Sequence, residues 1–188
     1  LPGACASAQT LGRTKSTPSS TTMVFVSFMF ADIEVASELI RRLAERHVPC
    51  IDANLSKIPD SALCQTIERL LHQSTHSIVV SRSDMPPSPW VAFESGFALA
   101  MHHPLFTFGA PSDRLPPFLA QWPALVDWSD LEDFADFYNV TVPKYDDDEE
   151  RKLRAAADQN GDQFQNFRYR TWSNWVREKN RKQASTTR

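Results

Sequence analysis

The chain has 188 residues, 41% hydrophobic and 23% charged, with a formal net charge of −3, which is the composition of one soluble globular domain without a basic field for sequence-independent nucleic-acid binding. No run approaches the ~18 uninterrupted apolar residues of a membrane span. Three cysteines, Cys5, Cys50 and Cys64, form no CxxC pair; this argues against a disulfide framework or a zinc cluster and for a reducing, cytoplasmic setting.

Residues 1–22 are Ser/Thr/Pro-rich and lack hydrophobic periodicity. They read as a disordered or non-native leader with Met23 as the natural start, and they lack the charged start and compact apolar segment of a secretory signal. From Met23 the chain alternates in type. Val24–Phe28 is a short β-forming run that predicts a buried parallel strand. Asp32–Arg46 places Ile33, Ala36, Ile40 and Leu43 at helical spacing. Val48–Ile51 predicts a second strand, and Ser61–His72 a second helix through Leu63, Ile67, Leu70 and Leu71. Ser77–Ser81 predicts the third strand. Ser88-Pro89 is a helix start, an N-cap followed by proline in the first turn. Leu105–Phe108 and Leu125–Trp128 predict two more strands, and Ser129-Asp-Leu-Glu132 a capping box opening a helix through Tyr138.

Five short strands alternating with helices predict an α/β fold, a three-layer five-stranded parallel sheet flanked by helices, over residues 23–142. Ligands of such sheets bind beyond the carboxyl ends of the strands, here after Phe28, Ile51 and Ser81. Residues 143–188 predict a helical extension. An acidic run, Asp146–Glu150, precedes a Lys/Arg/Ala pattern, and Gln163–Lys182 carries Phe164, Phe167, Trp172 and Trp175 before a basic end.

Most acidic residues need no reason beyond solubility, but Glu94 does. Trp90, Phe93, Phe97 and Met101 fall on one face of the helix after Ser88-Pro89, and Glu94 falls within that face. A carboxylate in an apolar stripe loses hydration unless it is paired or faces a cleft. The spacing fits a salt-bridged core glutamate; it also fits a carboxylate in a partly apolar pocket, acting strongly on a reacting centre.

Val24–Phe28, Asp32, Ile51-Asp52, Ile78–Ser81 and Ser88-Pro-Trp-Val-Ala-Phe-Glu94 together resemble Toll/interleukin-1 receptor (TIR) domains, in the same order and at similar intervals. The match is to the bacterial, NAD-cleaving type, with its Trp-x-x-x-Glu pattern in the helix after the third strand. The resemblance spans roughly residues 23–138 and implies a TIR/flavodoxin-like fold. It further implies cleavage of the nicotinamide–ribose bond of NAD, with Glu94 as the catalytic carboxylate and ADP-ribose or a cyclic isomer as product. NAD is then a substrate, and no cofactor or metal is needed, since nicotinamide is already a cationic leaving group. The same resemblance implies that Phe28 walls the nucleotide pocket, that Asp52 leads into an assembly loop, and that Ser81 sits at the pocket rim. Trp90 is implied to pack against the ribose or nicotinamide. Self-association through TIR surfaces follows, as does the role of signal producer in a Thoeris-like antiphage system, with a downstream effector sensing the product. No nucleic acid or membrane is implied as a partner.

Two features depart from the family. Ala53–Ser61 lacks the usual loop glycine and holds Ile58-Pro59-Asp60, and Phe30 stands where some NAD-cleaving members carry a basic residue. Phosphate contacts then fall to backbone amides or to another residue such as Arg82. His102-His103 is poor geometry for one metal, Ser27, Ser81 and Ser83 lack a nucleophile-elbow context, and no phosphate-binding glycine loop occurs. Two other functions remain open from sequence. One is a non-enzymatic TIR scaffold in which a basic residue neutralises Glu94. The other is an enzyme similar to nucleoside 2-deoxyribosyltransferases, which share a Phe-Glu-x-Gly-x-Ala stretch with Phe93–Ala98.

Overall fold

The computed structural model describes residues 23–52, 62–81, 88–101, 103–141 and 172–178. The leader 1–22, the loop Ala53–Ser61, Arg82, Ser83, His102, Asp146–Glu150 and most of the extension lie outside the described residues. The described chain runs β1 (Met23–Ser27), α1 (Ile33–Glu45), β2 (Cys50–Asp52), α2 (Leu63–His72), β3 (Ser74–Val80), α3 (Pro89–Ala100), β4 (Leu105–Phe108), α4 (Pro117–Ala120), β5 (Ala124–Leu125) and α5 (Trp128–Thr141). A further helical segment covers 172–178.

The strands form one parallel sheet in the order β2-β1-β3-β4-β5. Alternate strand residues face opposite layers, as the pleat requires. Val24, Val26, Ile78, Val80, Phe106 and Phe108 pack with Ala36, Leu39 and Leu43 of α1 and with Leu131, Phe134 and Phe137 of α5. Phe25, Val79 and Leu105 pack on the other side with Ile67 and Leu71 of α2, Val91 and Ala98 of α3 and Leu119 of α4. The three-layer α/β arrangement expected from the alternation is the one observed. No helix of the described residues is long and apolar enough to cross a membrane.

The differences are local and have physical causes. β3 begins at Ser74, three residues before the expected start at Ser77, because its polar start is accommodated: Ser74 Oγ donates to Leu70 O at 2.9 Å, and the His76 ring lies 5.2 Å from that of Tyr138. β5 is only two residues long, and Trp128 belongs to α5 instead. The cap there is Asp127, whose Oδ1 accepts from the N–H groups of Ser129 and Asp130, while Asp130 Oδ2 accepts from Val126 N–H. The capping side chain thus sits two residues before Ser129, and Glu132 is free to bond Arg46 at 2.6 Å. α4 is too short to display a helical period and has no counterpart in the sequence reading.

Segment 172–178 seals the α1/α5 layer. Trp172 is buried, with its ring edge-on to Phe106 at 5.5 Å and Phe137 at 5.1 Å, and it stacks on Trp175 at 5.7 Å.

Candidate functional site

β1 and β3 are neighbours, but the chain leaves them in opposite directions: β1 leads through α1 to β2 on one side, and β3 leads through α3 to β4 on the other. Such a reversal opens a crevice at the carboxyl ends of the two strands, where α/β sheets bind ligands. Ser27 ends β1 there, in register with Val79 of β3. Ser81 follows β3, buried, and its N–H donates to Phe108 O at 3.0 Å.

α3 packs across β1, β3 and β4 on one face of the sheet. Its start is the expected one: Ser88 Oγ accepts from Trp90 N–H, and Pro89 occupies the first turn. Its orientation is not the one expected. The buried residues are Val91, Glu94, Ser95 and Ala98, whereas Trp90 and Phe93 are 43% and 39% exposed and Phe97 is half-buried. The stripe Trp90-Phe93-Phe97-Met101 is therefore not the sheet-facing side. The helix is apolar nearly all round, so periodicity does not choose a face. Small side chains at Ser95 and Ala98 instead let it lie close to β1, β3 and β4. The only charged residue of α3 points inward, and Ser95 satisfies its hydroxyl on Val91 O at 2.6 Å.

Glu94 is 3% exposed. Ser27 Oγ donates a hydrogen bond to its Oε2, joining α3 to the end of β1 across 67 residues of sequence. Burial pushes the Glu94 carboxyl up to about 7, while the Ser27 hydrogen bond acts in the opposite direction. Both protonation states are accordingly populated near neutrality. Among the described residues Glu94 has no ion pair with Arg or Lys. A desolvated carboxylate not neutralised by a fixed cation exerts its full field on whatever enters beside it.

The remaining residues singled out from sequence are dispersed. Trp90 lies one turn before Glu94, with its ring edge-on to Phe93 at 6.0 Å. Phe28 follows β1 but packs with the α1/α5 layer, on the opposite side of the sheet from Glu94, while Met29 joins the α2/α3 layer. Asp52 ends the edge strand β2, half-buried and opposite Val26. Ser27 is not among the binding residues that the sequence implies. Its signal is its register: two residues after Phe25, it shares the face that α3 covers. Among the described residues no group of three His, Cys, Asp or Glu side chains stands together to hold a metal ion. His103 instead lies buried with Nδ1 3.3 Å from Ser77 Oγ.

The sequence matches no protein-family model and no curated protein. Among solved structures the chain is similar to a metazoan TIR-STING receptor from C. gigas, at 18% identity and a TM-score of 0.47 over 73% of this chain and 52% of that one. It is also similar to the TIR domains of the activated Roq1 resistosome directly recognizing the pathogen effector XopQ, at 15% identity and a TM-score of 0.42 over 71% and 78% of the two chains. The chain thus spans about half the length of the TIR-STING receptor. Both scores lie below one half, so the reading of the site rests on this chain's own residues.

Proposed function

We propose that this chain is a TIR-domain enzyme that cleaves the nicotinamide–ribose bond of NAD, with Glu94 as its catalytic carboxylate. The observation that carries the proposal is a buried carboxyl group, bonded to a hydroxyl and to no cation among the described residues, at the carboxyl ends of the central strands. The ordered sequence blocks from Val24 to Glu94 supply the substrate class.

The chemistry needs little else. Nicotinamide departs as a neutral molecule with the electron pair of the glycosidic bond, leaving positive charge on the ribose. Ionised Glu94, already desolvated, stabilises that charge more as it develops than in bound NAD, and such differential stabilisation lowers the barrier. Water attacking the ribose gives ADP-ribose; a nucleophile within the ADP-ribose itself gives a cyclic isomer. The cyclic product would serve as an immune messenger for a separate effector in antiphage defence. Self-association through TIR surfaces, with Asp52 leading into the loop that completes a neighbouring site, would make activity rise with protein concentration.

The test is chromatographic product analysis after incubation with NAD at high protein concentration, wild type beside Glu94→Ala. Nicotinamide release by wild type alone is the expected result; intact NAD with both proteins refutes it. A scaffold role calls for a Glu94 neutralised by Arg or Lys, and no such pair stands among the described residues. Turnover of deoxynucleosides in place of NAD would identify a 2-deoxyribosyltransferase.

A further inference from the structure

We propose that Ser27 is the positioning residue of Glu94: its hydroxyl, fixed at the end of β1, occupies Oε2 and leaves Oε1 as the oxygen that meets the substrate. The identity of that substrate rests on the reading above; the pairing rests on geometry alone.

A glutamate side chain turns about three bonds, and in a crevice nothing in its own helix selects one rotamer. Ser27 does. It ends a central strand, is 3% exposed, and lies in parallel register with Val79, so its Oγ has little freedom. A hydroxyl has one hydrogen to donate, and here it goes to Glu94 Oε2. That bond favours the ionised carboxyl and disfavours a proton on Oε2. The proton of the neutral form therefore sits on Oε1, and Oε1 is bared when it leaves. One oxygen is held by the fold and the other carries the chemistry.

Among the described residues no other ionisable side chain is bonded to Glu94: His103, which follows α3, is buried with Nδ1 3.3 Å from Ser77 Oγ, and Asp32 is buried in the turn after β1. β1 and β4 carry no ionisable side chain, and the His76 ring of β3 lies on the opposite face among Phe106, Phe134 and Tyr138. On α2, Cys64, Glu68, Arg69 and His72 are exposed. Burial and the Ser27 hydroxyl are the causes that set the Glu94 carboxyl.

The test uses the full chain with 13C-labelled glutamate carboxyls, titrated by NMR, the Glu94 signal being assigned by its loss in Glu94→Gln. In Ser27→Ala the Glu94 midpoint should rise by about one pH unit, the worth of a hydrogen bond to a charged group. Ser27→Thr, which restores a hydroxyl, should titrate like wild type. Should the alanine variant not fold, Ser27→Cys, a weak donor, should move the midpoint in the same direction by less. An unchanged midpoint in Ser27→Ala, or a threonine variant that behaves like alanine, overturns the assignment. In the same proteins the pH limb of nicotinamide release should move with the carboxyl midpoint, kcat falling at fixed pH while KM holds. Absence of nicotinamide release by wild type would refute NAD cleavage, and the titration would still decide the role of Ser27.

Discussion

Replacing Glu94 by glutamine should make this protein more stable as the solution becomes more alkaline, while removing its activity. The folded-state carboxyl is raised from 4.5 to about 7, a difference of about 2.5 units, equivalent to about 3 kcal/mol at 1.36 kcal/mol per unit. Between those two values the folded chain holds a proton that the unfolded chain has released, so stability falls as pH rises. The contribution of the protonated group is fully present below about 4.5 and is lost as pH passes through about 7. Glutamine cannot ionise, and its carbonyl oxygen can still accept the Ser27 hydrogen bond.

Urea unfolding of both proteins across this range gives the check. From pH 5 to pH 8 the stability of Glu94→Gln should gain about 2–3 kcal/mol on wild type, other titrations cancelling in the comparison. Parallel curves would mean that Glu94 titrates in the ordinary carboxylate range, and the burial argument would fail with them. Under the proposed function the same substitution abolishes nicotinamide release. A residue whose ionised form lowers stability and whose removal stops turnover is one held for chemistry.

Four further outcomes are expected. The kcat/KM for NAD should rise with pH through about 7 as Glu94 ionises; a flat profile would remove Glu94 from the rate-determining chemistry. Trp172→Ala, emptying a buried site against Phe106 and Phe137, should cost about 3–5 kcal/mol in denaturant unfolding, whereas Arg46→Ala, breaking bonds to Glu132 and Asp136 at the surface, should cost less than about 1 kcal/mol. Equal losses would show that segment 172–178 is not part of the core. Burial and the Asp52 charge push the Cys50 thiol up to about 12, while Cys64 is exposed, so alkylation near pH 8 followed by peptide mass spectrometry should label Cys64 well before Cys50; equal labelling rates would contradict the burial of Cys50. Gly109 has φ +99, and an added Cβ would meet Ser81 O at an ordinary 3.5 Å; Gly109→Ala should therefore cost about 1–2 kcal/mol through backbone strain alone, and an unchanged denaturation midpoint would refute that strain.

The order of elements was legible because each carried its own period or cap. β4 falls on the four residues its apolar run marks, and α3 starts at the Ser88-Pro89 cap. Boundaries failed where tertiary contacts supply what local sequence lacks. The polar start of β3 is extended because Ser74 and His76 find partners in the fold, and Asp127 takes the cap that Ser129 offered. At the site, Glu94 stood out as a charge in an apolar helix. Ser27 did not, since a serine in a strand looks the same whether or not a carboxylate lies across from it. Their bond joins residues 67 apart and exists only after β1 and α3 have docked.

The docked face of α3 lies about a quarter-turn from its aromatic stripe. An aromatic stripe toward the sheet would bury more apolar surface. It would also hold the helix off the sheet by the thickness of a ring, and the short Ser27 side chain could not then reach Glu94. With Val91, Ser95 and Ala98 inward, the helix comes close enough for that bond, and Trp90 and Phe93 are left partly in solvent. Exposed aromatic surface and a desolvated carboxyl both cost stability, and the same docking geometry causes both. The sheet-facing side of α3 is thus the one that brings the carboxyl to the ends of the central strands, and a helix apolar nearly all round gives no sign of that side in its local pattern.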